Sequence, residues 1–151
     1  QASSSNLALA FVALPPERRR DMSVFYAFCR VVDDIVDEPA PRAEKDAGLA
    51  TWRKAVRAAT PGESPLAEPV RALIGRYALS VEHFDEIITG MEMDLDGASY
   101  ATWEQLELYC HRVASVVGLV SLGIFGRYWA ERSDSAPEWV VRFVATILLL
   151  K

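Results

Sequence analysis

Apolar residues recur at intervals of three and four along almost the whole chain, and the alternating period of a strand is nearly absent. That regularity commits the chain to helices packed on helices. Prolines and glycines cut the pattern into pieces. A short helix is expected over 6–13, stopped by Leu14-Pro15-Pro16. A longer one opens near Pro16 or Glu17 and runs to about Glu38, where Pro39 and Pro41 end it. Further helices are expected over 43–59, with Thr60-Pro61-Gly62 as the turn, and over 68–77. Ser80 can cap the next, whose buried stripe is Phe84, Ile87, Ile88, Met91 and Leu95. Thr102 with Gln105 forms a capping box for a helix from Trp103 to about Tyr128, and a last piece starts near Pro137. The expected class is all-α.

Composition narrows the function. The chain has 151 residues, 51% hydrophobic and 25% charged, which suits one packed domain. Sixteen Lys and Arg against 21 Asp and Glu leave a net charge of −5, which argues against a nucleic-acid partner. Two cysteines cannot make a disulfide framework, so a reducing, cytoplasmic setting is expected. The most apolar stretches are 113–125, broken by Ser115, Gly118, Ser121 and Gly123, and 140–150, which carries Arg142. Neither reaches the roughly 20 continuous apolar residues of a membrane span. The first 13 residues lack a basic start, so no signal peptide is expected. Peripheral attachment at the inner membrane face stays open for a lipid substrate. The chain opens on Gln1 and closes with an apolar run before Lys151, and both ends are expected to be cuts.

The segment Ser23 to Asp37 carries the chemistry. Advancing about 100° per residue places Ser23, Tyr26, Arg30, Asp33, Asp34 and Asp37 in one sector of about 100°. The other positions from Val24 to Val36 are apolar or small. Such a helix is expected to be buried, with its narrow polar stripe facing a cavity. Asp33 and Asp37, at i and i+4, project together from consecutive turns. Three acids face one guanidinium, and uncompensated carboxylates are costly to bury. The shortfall in positive charge suggests Mg²⁺, a hard cation commonly completed by substrate phosphates. The alternative is Arg30 pairing with Asp33 and Asp34, at i+3 and i+4, on a solvated face.

Several blocks are similar to one known family. They are Ser4-Ser5-Asn6-Leu7-Ala8-Leu9-Ala10-Phe11, Leu14-Pro15-Pro16-Glu17-Arg18-Arg19, and Tyr26-Ala27-Phe28-Cys29-Arg30-Val31-Val32-Asp33-Asp34-Ile35-Val36-Asp37-Glu38. Gly90-Met91-Glu92-Met93-Asp94-Leu95 and Tyr109-Cys110-His111-Arg112-Val113-Ala114, with Val117-Gly118, come next in order. From about Ser3 to Tyr128 the chain resembles the squalene/phytoene synthase family, most of all its bacterial presqualene diphosphate synthase branch. The resemblance implies an isoprenoid synthase (terpenoid synthase) helical fold, present in part. It also implies a prenyltransferase that condenses two prenyl diphosphates, such as farnesyl diphosphate, head to head in hopanoid or carotenoid synthesis. Asp33 and Asp37 fall on the family's Mg²⁺ ligands. Ser3, Ser4, Ser5, Asn6, Tyr26 and Arg30 fall on its diphosphate-binding positions. Tyr109 falls where the family has a reaction-site tyrosine, so Tyr109 and Arg30 are the expected catalytic residues. Val113, Ala114, Val117 and Gly118 are expected to line the cleft that shields a carbocation from water. Ser115 and Leu7 depart from residues common in the family, which bears on chain-length preference.

The family's second aspartate-rich motif does not occur in the sequence, whose last carboxylate is Glu138. Residues 1–151 are therefore expected to be the N-terminal portion of a single domain, inactive alone. The rival reading is a non-catalytic helical binding or assembly protein derived from the same scaffold. Glu92, Asp94 and Asp96 are expected to be a solvated helix end, and Cys29 and Cys110 buried thiols. His83 and His111 lack partners at ligand spacing, so zinc is not expected.

Overall fold

The computed structural model describes residues 15–97 and 99–130, with side chains through Ile124. The expected helix over 6–13 and the piece from Pro137 lie outside the described residues. Every regular element described is helical. Helix α1 spans Pro16–Asp37, α2 Arg42–Ala55, α3 Ala67–Tyr77 and α4 Val81–Leu95. Helix α5, Trp103–Cys110, passes through a π turn, His111–Ser115, into α6, Val116–Ala130.

Local chemistry sets most of these boundaries. Pro16 opens α1, where its missing N–H costs nothing, and Glu38 turns extended ahead of Pro39 to close it. The Ser80 side chain accepts from the Glu82 N–H at the start of α4. Thr102 accepts from the Gln105 N–H, while Gln105 reaches back to the Ala101 N–H at 3.0 Å. Helix α3 ends on Ala78 at φ 49° and ψ 44°, a left-handed cap in which the Leu79 N–H bonds the Ile74 carbonyl at 3.0 Å.

Two boundaries differ from expectation. Helix α2 stops at Ala55 rather than Ala59, because Arg71 draws the Ala55 carbonyl into a 2.6 Å bond while its fork holds Glu63 at 2.6 Å. The helix from Trp103 runs unbroken as expected, but α5 gives way within it to the π turn beside α4. By length and composition alone the 22-residue stretch Trp103–Ile124 is long and apolar enough to cross a bilayer, where the sequence reading expected no such stretch. Its Val116, Val120 and Ile124 are nevertheless packed into the protein core.

That core centres on Phe28, fully buried, tilted against Phe84 at 5.2 Å and edge-on to Trp52 at 5.5 Å. Asp21 is the buried charged residue among those described. It accepts from the Tyr77 hydroxyl at 2.6 Å and pairs with Arg76 at 2.9 Å, tying α1 to α3.

Candidate active site

Helix α1 is less enclosed than its composition suggests. Met22, Phe25, Phe28 and Val32 form its buried edge, whereas Ser23, Tyr26, Arg30 and Asp37 are exposed. The polar stripe does border a hollow. A cleft of about 190 Å³ is lined by Tyr26, Cys29, Arg30, Val32 and Asp33 of α1, Ile87 and Met91 of α4, and Val113 and Val117. Apolar side chains thus form its floor and far wall, and a guanidinium and a carboxylate stand at its rim.

Arg30 divides its guanidinium between two acids, with Nη1 3.0 Å from Asp33 Oδ2 and Nη2 2.7 Å from Asp34 Oδ1. The intrahelical pairing weighed from the sequence is therefore real. It does not balance the charge. Partial burial, and next the charge of Asp37, hold the Asp33 carboxyl above its ordinary range. Arg30 pulls it down, while Asp34 and Asp94 add to the rise. Asp37 itself is exposed and does not line the cleft.

Tyr109 is half-buried and stacks on Tyr100, ring centroids 4.9 Å apart. Burial and the nearby Asp94 carboxylate push its hydroxyl up to about 12. Asp94 thus faces both Tyr109 and the acidic strip, a placement the sequence did not suggest. Its neighbours are neutralised: Glu92 bonds Arg53 at 2.8 Å and Asp96 bonds Arg42 at 2.7 Å. Among the described residues no cation lies within ion-pair distance of Asp94 or Asp37.

Of the expected cleft residues, Val113 and Val117 line the hollow, whereas Ala114 is exposed and Gly118 half-buried outside its lining. Ser3, Ser4, Ser5 and Asn6 lie outside the described residues. Cys29 lines the cleft, its thiol pushed up to about 12 by burial, but Cys110 is exposed rather than buried. Ile87 and Met91 were legible as a buried stripe, not as cleft residues. Among the described residues no three His, Cys, Asp or Glu side chains converge on a metal site. Two carboxylates with surplus charge fit Mg²⁺, which keeps several waters and takes phosphate oxygens. They do not fit an ion held wholly by protein.

A family model described as squalene/phytoene synthase matches residues 1–143. The chain belongs to the squalene/phytoene synthase family. It is 43% identical over 128 residues to a presqualene diphosphate synthase of Rhodopseudomonas palustris, covering 83% of this chain and 46% of that protein. It is 32% identical over 126 residues to a phytoene synthase of Arthrospira platensis, covering 82% and 40%. A crystal structure of a dehydrosqualene synthase in complex with ligand superposes with a TM-score of 0.67 at 28% identity, over 81% of this chain and 43% of that one. The chain spans less than half the length of these relatives. The shared helical architecture agrees with the terpenoid synthase fold expected from the sequence.

Proposed function

We propose that this chain supplies the first diphosphate- and metal-binding half of a prenyltransferase that joins two prenyl diphosphates head to head, toward presqualene diphosphate or a phytoene-type product. Surplus negative charge at Asp33, at the rim of an apolar-walled cleft, carries this reading. In it Asp33 and Asp37 hold Mg²⁺, and Arg30 and Tyr26, with Ser3, Ser4, Ser5 and Asn6, grip the diphosphate. The relatives' names give presqualene diphosphate and phytoene as what those proteins make, and the resemblance implies farnesyl diphosphate as the substrate here.

Each residue has a physical task. The Arg30 guanidinium, already aimed along the rim, donates to diphosphate oxygens while Asp33 and Asp34 fix its orientation. Val113 and Val117, with Ile87 and Met91, take the prenyl chain and exclude water. The Tyr109 hydroxyl, kept protonated and hydrogen-bonded to Asp94, is outside the cleft lining, and in this reading it acts from beside the cleft. Mg²⁺ supplies, when bound, compensation for the charge that builds on the departing diphosphate. In this reading the protein works in the cytoplasm, and exposed Trp103, Leu106 and Leu108 offer apolar area for peripheral contact with the inner membrane face.

Equilibrium dialysis of radiolabelled farnesyl diphosphate against the 151-residue chain tests the reading. Retention is expected with Mg²⁺ and is expected to fall roughly thirtyfold in Arg30→Ala, about 2 kcal/mol for lost charge-assisted bonds. Retention that ignores both Mg²⁺ and Arg30 would favour the binding or assembly protein instead.

A further inference from the structure

Gly90 lies in α4 between two cleft residues, Ile87 and Met91, and is itself buried. A Cβ built there would stand 2.8 Å from Val113 Cγ1 and 3.2 Å from Arg112 Cβ, both in the π turn. Carbon atoms rest at about 3.5–4.0 Å, so a side chain at Gly90 displaces the Val113 side chain and presses Arg112 and the turn outward. Two contacts hold the turn down on the same strip of α4. Arg112 Nε bonds Glu86 Oε2 at 2.6 Å, and Arg112 Nη1 meets Met93 Sδ at 3.3 Å. Glu86 and Met93 sit at i−4 and i+3 from Gly90, on one helix face with it. A π turn adds a residue to the helical cycle and rotates the residues after it, so its seat decides where Val113 and Val117 point. Both line the cleft.

We infer that Gly90 is a specificity-determining position: the missing side chain seats the π turn, and the turn sets the position of the Val113 wall against the apolar tail of the ligand. The Arg112–Glu86 pair clamps that seat. The ligand class, a diphosphate with a prenyl tail, rests on the function proposed above; the seating of the turn does not.

The experiment compares the wild-type chain with Gly90→Ala, Val113→Ala and Gly90→Ala/Val113→Ala. Methyl NMR reads the proximity of Val113 to Ile87 and Met91, melting reads stability, and Mg²⁺-supported titrations of geranyl and farnesyl diphosphate read selectivity. Gly90→Ala is expected to lose the Val113 cross-peaks, melt earlier, and change the farnesyl-to-geranyl affinity ratio about tenfold. The double variant is expected to recover the lost stability, because removing Val113 Cγ1 vacates the contested space. If Gly90→Ala fails to fold, a folded double variant supports the seat. Wild-type cross-peaks and ratio in Gly90→Ala, or a double variant no more stable than the single one, overturn the inference. If wild type binds neither diphosphate while cross-peaks and melting behave as expected, the seat stands and the ligand class falls.

Discussion

At Arg30 one guanidinium serves two carboxylates on its own helix, and neither pairing is enclosed. Exposed pairs at this spacing contribute well under 1 kcal/mol, so the arrangement is of little use to stability. Its consequence is orientation along the cleft rim. Asp33 shows the same bias toward function. A carboxyl held above its ordinary range binds its proton more tightly folded than unfolded, so ionising it costs stability as pH rises through the interval between those two values. The cost is fully present once the pH lies above the folded-state value. Asp33→Asn is therefore expected to melt no lower than wild type at pH 7, measured by circular dichroism, while losing Mg²⁺-dependent diphosphate binding. A marked drop in melting temperature would make Asp33 structural.

At the scale of elements, the loop between α2 and α3 shows the opposite sign. Arg71, bonded to Glu63, holds that carboxyl down at about 2, below its ordinary 4.5. Stability from this pair is present above pH 4.5 and drains away as pH falls toward about 2. Glu63→Gln is expected to flatten that part of the acid-unfolding curve; an unchanged curve would assign the acid limb elsewhere. Helix α3 ends on an alanine in the left-handed region, where glycine fits without a Cβ penalty. Ala78→Gly is expected to raise stability in urea by about 0.5–1 kcal/mol, and a loss would show the cap is not strained. Boundaries written in local chemistry were legible in the sequence: Pro16, Pro39, Ser80 and Thr102 all act where their spacing placed them. The early end of α2 and the π turn were not. One needs Arg71 from sixteen residues after Ala55, the other an empty space at Gly90 in a different helix.

For the molecule as a whole, the aromatic hub and the cleft are two sides of one packing problem. Phe28 and Val32 bury one edge of α1 while Arg30 and Asp33 stand at the cleft rim, so the hub fixes the site's backbone. Phe28→Ala is expected to cost about 3–5 kcal/mol in chemical unfolding, a large share of a typical domain's stability. A cost below about 1 kcal/mol would show that Phe28 is not the centre of the core. The same geometry explains which site residues could be read from sequence. Tyr26, Arg30 and Asp33 share a helix, and helical spacing alone gathers them. Ile87, Met91 and Val113 join them only through packing. Asp94 reads in the sequence as one more acid at a helix end, and only the fold sets it between Tyr109 and the strip.

The central claim is that excess negative charge on α1 is completed by magnesium and a diphosphate. Thermal melting of the 151-residue chain, with Mg²⁺ and inorganic pyrophosphate added separately and together, tests it most directly, because a ligand bound only by the folded state raises the melting temperature. The predicted result is a rise that needs both components in wild type and vanishes in Asp33→Asn/Asp37→Asn. An equal rise in that double variant, or none in wild type at millimolar ligand, would contradict it.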